Sequence, residues 1–238
     1  MIRVETPQEE QSLKKFRDLV QDLNQDELTD VLLLRFLRAR DSPEKAEVQL
    51  RKALKWREES KIDSFLIWRP SKPVEEDLCF KYTGPDNEGR PVYWVPIGRW
   101  HVRQFLEQGY REDIQKFKYH ILEYITNNTE KLGHHQSVVI FGIERLAYSQ
   151  VLHLESMQLM FASFRDLEQY YPETIKTMYI VNTPWFFPYV MNILRPLLSP
   201  RTSNKLKIYN GDKTSWLTAL RKTMPDESIP AEYLRETD

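Results

Sequence analysis

The residues of this chain that most resemble catalytic groups lie apart from the partners that catalysis requires. Ser137 sits inside an apolar run and not in a G-x-S-x-G elbow, which argues against a serine hydrolase. His134 and His135 are neighbours on a predicted loop, where two ligands alone make a poor metal site. Glu173, taken as a general base, has no visible partner. These residue types therefore predict a protein that is not an enzyme and that holds neither a metal ion nor another cofactor.

The strongest indication of a binding site is a proline-framed helical segment, residues 183–198 (TPWFFPYVMNILRPLL). A surface helix normally keeps one apolar stripe, but this segment is apolar nearly all round. One interpretation is a helix fully buried in the core. The other is a helix that covers an apolar cavity on one side and meets a membrane on the other, where nearby cations contact lipid phosphates. The spacing leaves both open, and the cations concerned are Arg195, Arg201, Lys205 and Lys207.

Two kinds of element must position these residues. Residues 8–67 read as helical; Asn24 with Glu27 resembles a capping box for a second helix, and Ser42 followed by proline is a strong start for a third. In the second half, apolar and β-branched runs alternate with amphipathic helices, which predicts a mainly parallel sheet with crossover helices. We expect strands at 79–83, 91–97, 137–143, 177–182 and 205–209, and helices at 110–132 and around 154–171.

Composition narrows the classes of function. The net charge is −1, so nothing global predicts binding to nucleic acid. Seven glycines, without a dinucleotide-binding or P-loop pattern, disfavour a nucleotide site. The single cysteine, Cys79, fits a reducing compartment. No apolar run approaches the roughly 18 residues of a membrane span, and the charged N-terminus lacks a signal-peptide core. We therefore expect a soluble cytoplasmic protein that contacts membranes only transiently.

Several short motifs, in their order and spacing, resemble the CRAL-TRIO (Sec-fourteen-like) lipid-transfer family. They are 35–40 (RFLRAR), 55–57 (KWR), 89–93 (GRPVY), 170–173 (YYPE) and 180–184 (IVNTP). Within the family, 62–63 (ID), 68–70 (WRP) and 172–176 (PETIK) are similar to the supernatant-protein-factor branch. The resemblance implies an α/β fold with an N-terminal helical lobe, residues 1–75, and a lipid-binding lobe, residues 76–238. That branch often has a further C-terminal β domain, which we expect to be absent because the chain ends soon after Leu234.

The resemblance also implies how the second lobe works. Its mixed, mainly parallel sheet would form the floor of an apolar pocket, and a helical gate would close it. The pocket would enclose one lipid, either phosphatidylinositol, phosphatidylcholine or an isoprenoid such as tocopherol, and exchange it at membranes as a monomer. The gate residues would be Trp185, Phe186, Phe187, Val190, Met191, Leu194 and Leu198.

An alternative reading of the same resemblance is a lipid-sensing adaptor. Such a protein would bind lipid for a partner protein or a lipid kinase without bulk transfer. Transfer of labelled lipid between vesicles separates the two, since an adaptor binds lipid but does not accelerate exchange.

The head-group site implied by the phosphoinositide-transferring members consists of Arg40, Glu173, Thr202 and Lys205. The pattern departs at Asp41, where those members carry a lysine. A carboxylate there would weaken a phosphate site by like-charge repulsion, unless it turns to solvent or pairs with Lys45.

The remaining pocket residues are expected on the sheet and on the two long helices. Those implied are Tyr82, Tyr93, Phe117, Ile121, Tyr124, Ser137, Val139, Phe141, Met160, Phe164, Met178 and Ile180. Tyr82, Tyr93 and Ser137 match positions that bind choline lipids in related members. Val139 stands where those members have a threonine, and Gly142 where branch members often have an aspartate. The more apolar wall favours a neutral isoprenoid, alone or beside a phosphoinositide.

Overall fold

The computed structural model describes residues 4–26, 28–40 and 42–235. Within these ranges the strands form one five-stranded sheet in the order β1 to β5. The first pair is antiparallel and the other three pairs are parallel. This confirms the predicted α/β class with a mixed, mainly parallel sheet. The strands are β1 (Lys81–Pro85), β2 (Pro91–Val95), β3 (Ser137–Gly142), β4 (Ile175–Thr183) and β5 (Leu206–Asn210).

Twelve α-helices surround this sheet in the described part of the chain. They are α1 (Pro7–Leu19), α2 (Asp30–Ala39), α3 (Pro43–Glu59), α4 (Lys72–Asp77), α5 (Val102–Glu107), α6 (Arg111–Lys131), α7 (Tyr148–Val151), α8 (Leu154–Tyr170), α9 (Phe187–Leu194), α10 (Pro200–Lys205), α11 (Lys213–Arg221) and α12 (Ala231–Leu234). Short 3₁₀ turns occur at Ile62–Leu66, Ile97–Arg99, Arg195–Leu197 and Asp226–Ser228.

The three N-terminal helices each begin at a side-chain cap. Ser42 Oγ accepts a hydrogen bond from the amide of Lys45, as the serine–proline start predicts. The predicted capping box is wrong, because α2 begins only at Asp30, after Thr29 Oγ1 accepts from the amide of Leu32. Asn24 instead accepts from the amide two residues on, a turn that competes with a helix start. Glu27 lies outside the described residues.

Apolar residues cover both faces of the sheet, as expected for parallel strands. On one face, Ile140 and Val181 pack against Trp216 of α11. On the other, Val139 and Met178 pack with Leu167 of α8, because successive side chains of a strand alternate in direction. Helices α1 to α3 have a separate apolar cluster. The division at residue 75 stays a prediction.

A buried ionic network attaches α3 to the second half of the chain. Arg57 binds both oxygens of Glu123 on α6 at 2.9 Å, and Tyr171 donates to the same carboxylate at 2.6 Å. Burial, with the Glu123 charge beside it, raises the pKa of the Tyr171 phenol. Trp56 stacks on Tyr170 with ring centroids 3.9 Å apart. These contacts hold the helical layer against α6 and α8, the two helices that form the site described next.

Gly142 ends β3 at a point where no side chain fits. An ideal Cβ built there would lie 2.3 Å from Tyr233 Oη and 2.8 Å from Glu144 Oε2. Tyr233 occupies this space because its hydroxyl accepts from Trp94 Nε1 at 3.1 Å and donates to Glu144 at 3.1 Å. The aspartate that branch members often have at this position is therefore incompatible with this packing of Tyr233.

Candidate functional site

A cavity of about 290 Å³ lies between one face of the sheet and helices α6, α8 and α9. It is called the apolar cavity. Its floor comes from β2 and β3, and its walls come from the two long helices. Six of the predicted lining residues do line it: Phe117, Ile121, Val139, Phe141, Met160 and Phe164. The floor and walls come together because each element turns its apolar side inward.

The structure places the other six predicted residues elsewhere. Tyr82, Tyr93 and Tyr124 form a row of ring contacts, and Tyr93 Oη receives a hydrogen bond from Asn128. Ser137 is fully buried. Its hydroxyl donates to the Thr174 carbonyl at 3.5 Å. None of these four predicted residues lines the apolar cavity, and the Tyr93 and Ser137 hydroxyls, two of the three expected to hold a choline lipid, are engaged within the protein. The last two, Met178 and Ile180, pack beside a polar pocket and under α9 respectively.

Sequence reasoning missed much of the cavity wall. The additional lining residues include Leu78, Trp100, Ile114, Leu122, Met157 and Leu159. The helical spacing of apolar residues puts Ile114 and Met157 on the apolar sides of the two long helices, so spacing is a usable signal for them. It is not sufficient, since Leu154 has the same spacing on α8 and is 71% exposed. Lys118 also borders the cavity, and its ammonium pairs with Asp166 at 2.5 Å. Burial lowers the pKa of Lys118.

The segment that sequence analysis singled out, residues 185–198, covers the cavity and is called the gate. Phe187 and Val190 line the cavity from above. Four other predicted gate residues are buried beside them: Phe186, Met191, Leu194 and Leu198. On the opposite side Trp185, Tyr189 and Ile193 are 77%, 66% and 54% exposed. A fully buried core helix is therefore excluded.

The exposed side of the gate continues onto α7 and the start of α8. Tyr148 stacks near Trp185, with ring centroids 6.0 Å apart, and contacts the Phe186 ring at 5.2 Å. Leu152 and Leu154 are 66% and 71% exposed. Exposed apolar residues are normally scattered, whereas here Tyr148 and Trp185 lie in contact and further exposed apolar side chains follow on the same segments of the chain.

The four predicted head-group residues, Arg40, Glu173, Thr202 and Lys205, come together in a small polar pocket of about 30 Å³. Lys205 Nζ donates to Glu173 Oε2 at 3.0 Å, and Gln136 donates to the same oxygen at 3.3 Å. Glu173 has a left-handed backbone, with φ of 55°, a strained conformation that is frequent at functional sites. Asp41, the departure noted above, lies outside the described residues.

The polar pocket contains two further charged residues. One is Arg201, which the sequence indicated only as a cation near the gate, and the other is Glu168, which it did not indicate; the hydroxyl-bearing Ser199 lies beside them. Among the described residues no carboxylate forms an ion pair with Arg40 or Arg201. The pocket thus presents three cations and two carboxylates in a partly enclosed space.

The polar pocket and the apolar cavity are neighbours. Leu167 of α8 and Ile175 of β4 line both.

Two other kinds of feature are absent from the described residues. Across the described ranges, no helix is long and apolar enough to cross a membrane. Nor do those residues bring three or more His, Cys, Asp or Glu side chains into a group that could hold a metal ion.

Comparison with known proteins matches the chain to one family model and to several curated relatives. A family model described as the CRAL/TRIO domain matches residues 75–233. "Protein real-time" of Aedes aegypti is 28% identical over 95% of the chain and 36% of its own length. "Patellin-6" of Arabidopsis thaliana is 29% identical over 89% and 52%. "SEC14 cytosolic factor" of Kluyveromyces lactis is 28% identical over 95% and 77%.

The chain thus spans about a third of the first relative and about half of the second. Among solved structures, the crystal structure of Sfh5 superposes with a TM-score of 0.67 at 14% identity, covering 87% of this chain and 82% of that one. At this identity the likeness shows the fold alone. The assignment to the supernatant-protein-factor branch stays a prediction.

Proposed function

Because the chain belongs to the CRAL/TRIO domain family, we propose that it encloses one lipid molecule in the apolar cavity and exchanges it at membranes through the gate. The observation that carries this proposal is the apolar cavity beneath the gate with a charged pocket at its side. The proposal contains no chemical step. It takes the protein to be a cytoplasmic monomer that touches membranes only during exchange.

The cavity accounts for lipid binding in general but not for selection. A buried methylene gains about 0.8 kcal/mol relative to water. A lipid in a bilayer already has this gain, so moving its tail into an equally apolar cavity is nearly neutral. Preference for one lipid must therefore come from polar contacts and from the shape of the site.

The polar pocket supports an anionic head group that also carries hydroxyls. Arg40, Arg201 and Lys205 suit a phosphate, since charge-assisted hydrogen bonds are the strong ones. Glu168 and Glu173 suit hydroxyl donors. A choline lipid has no such donors, and its expected tyrosines lie outside the cavity. We therefore favour a phosphoinositide or a neutral isoprenoid as cargo over phosphatidylcholine.

The size of the apolar cavity bears on the same choice. Its volume of about 290 Å³ lies at the low end of the roughly 300–1,000 Å³ of pockets for small molecules. An isoprenoid or one acyl chain suits a cavity of this volume. A lipid with two long chains requires the gate to move outward.

The outer surface of the gate supports membrane contact. Trp185, Tyr148 and Tyr189 are aromatic side chains of the kind enriched at membrane interfaces. If the gate swings into the bilayer, its exposed side remains in an apolar setting while the cavity opens beneath it.

The proposal is tested by native mass spectrometry of the purified protein, followed by lipid extraction. We expect about one lipid per chain. A chain that is reproducibly empty, and that stays empty after incubation with mixed vesicles, would refute the proposal.

Selection by the polar pocket is tested with Lys205→Ala and Glu173→Ala. Each removes one partner of the 3.0 Å ion pair. A hydrogen bond to a charged group contributes roughly 1.5–3 kcal/mol. We therefore expect transfer of labelled phosphatidylinositol between vesicles to fall roughly tenfold or more, with transfer of labelled tocopherol unchanged.

Lys222→Ala is the matched control, since Lys222 is an exposed lysine that lines neither cavity and is not among the cations near the gate. Equal loss of both transfer activities in the pocket variants would mean that Lys205 and Glu173 serve folding and not selection.

A further inference from the structure

The gate ends in a polar contact that its own sequence does not predict. After α9 and the 3₁₀ turn, the buried Leu198 is followed by Ser199, where α10 begins. Ser199 Oγ accepts a hydrogen bond from the amide of Thr202 at 3.2 Å and so caps α10. Ser199 is thus the junction between the gate and the helix that carries Thr202 and Lys205.

Glu168 of α8 forms hydrogen bonds with Ser199 at this junction. Its Oε1 accepts from the Ser199 amide at 3.0 Å and from the Ser199 hydroxyl at 3.2 Å. Glu168 lies in the last turn of α8. An acidic residue is unfavourable at that end of a helix, because the helix dipole is negative there. The local sequence therefore gives no reason for a glutamate, whereas the contact with Ser199 does.

Elsewhere the gate is held by apolar packing. Within the described residues, no side chain of Phe187–Leu194 takes part in a hydrogen bond or an ion pair. Before the gate, Asn182 accepts from Trp216 Nε1 at 3.1 Å and has a left-handed backbone, with φ of 58°. The gate is therefore an apolar helix between two polar anchors, Asn182 and Ser199.

The two kinds of contact respond differently to a membrane. Apolar packing is non-directional, and a bilayer can replace it at little cost in free energy. A directional hydrogen bond to a carboxylate has no such replacement within the bilayer and must be broken or moved. The rate at which the gate opens should then depend on the polar anchors more than on the apolar ones.

We propose that the contact between Glu168 and Ser199 is the latch of the gate, and that Glu168 is a positioning residue for cargo exchange. This rests on the proposed function. Glu168 also lines the polar pocket. A cargo head group in that pocket is thereby next to the latch, whereas a lipid confined to the apolar cavity is not.

The latch is tested first without any ligand, by hydrogen–deuterium exchange of the amides of residues 187–197. We expect Glu168→Ala to speed exchange there roughly tenfold. The loss of a hydrogen bond to a charged group destabilises the closed position of the gate, and this changes the equilibrium between its closed and open positions by roughly that factor. Glu168→Gln keeps one acceptor oxygen and should give a smaller increase. Arg165→Ala, an exposed position on the same helix, is the matched control and should leave the gate unchanged.

The second readout is release of a defined cargo, fluorescent tocopherol or labelled phosphatidylinositol loaded from vesicles. Glu168→Ala should release it roughly tenfold faster, with β3 and β4 as protected from exchange as in the parent. The latch is refuted if gate exchange stays within twofold of the parent in both Glu168 variants, or if β3 and β4 lose protection equally. If the gate responds but no variant, the parent included, takes up lipid, the latch stands and the proposed function fails.

Discussion

Replacing Phe187 by aspartate is expected to reduce lipid retention roughly a hundredfold. Phe187 is 6% exposed and turns into the apolar cavity from the first turn of α9. A carboxylate at this point loses its hydration without gaining a partner, which costs several kcal/mol, whereas about 2.8 kcal/mol already corresponds to a hundredfold change. The gate then either opens or admits water, and both outcomes release the lipid. The measurement is the dissociation rate of a fluorescent lipid, with circular dichroism to verify the fold.

Trp185→Ala is the matched variant on the other side of the gate. Trp185 is 77% exposed and does not line the cavity. It should retain lipid as the parent does but sediment less with vesicles, because an interfacial aromatic residue has been removed. If Phe187→Asp and Trp185→Ala both load and exchange like the parent, the gate assignment is wrong and the segment is only part of the core.

Replacing Gly142 by alanine is expected to destabilise the fold by about 1–3 kcal/mol, the range for one inserted group that a packed core must accommodate. The new Cβ would lie 2.3 Å from Tyr233 Oη, so either Tyr233 or the end of β3 must shift. A loss of this size lowers the Tm by roughly 2–12 °C for a chain of this length. Thermal unfolding followed by circular dichroism measures it.

Two further variants test whether the clash with Tyr233 causes the loss of stability in Gly142→Ala. Gly211→Ala places a methyl group where nothing lies within 4 Å, and we expect almost no change. In a Tyr233→Phe background the clashing oxygen is gone, so Gly142→Ala should cost much less than it does alone. Strictly additive effects of the Gly142 and Tyr233 substitutions would show that the Tyr233 hydroxyl is not the obstacle.

Strand positions were predictable because they depend on local pattern. The predicted runs at 91–97 and 137–143 correspond to β2 and β3, and that at 177–182 lies within β4. The alternation of apolar and polar residues and the content of β-branched residues are properties of a few consecutive residues. A strand can therefore be predicted without knowledge of distant packing. The start of α2 was missed for the converse reason: Asn24 and Thr29 both have capping side chains, and only the surrounding packing decides between them.

The candidate site likewise contains residues that could be predicted from local pattern and residues that could not. Val139, Phe141, Met160 and Phe164 line the apolar cavity as expected, because inward-facing positions follow from strand and helix periodicity. Tyr93 and Ser137 have the right residue types but direct their hydroxyls to Thr129 and Thr174. Side-chain hydrogen bonding depends on which partner is nearest in space, and the sequence does not contain that distance.

The residue types, the strands, the helical spacing and the apolar gate segment were determined by the sequence itself, since each reflects steric or hydrophobic preferences acting over a few residues. Only the tertiary structure decided which side of the gate is buried, because a helix that is apolar all round has no preferred face until something packs against it. The tertiary structure also determined the contact between Glu168 and Ser199 that forms the latch. Glu168 and Ser199 are 31 residues apart in the chain, and a hydrogen bond over that separation exists only after β4 and the gate have folded back onto α8.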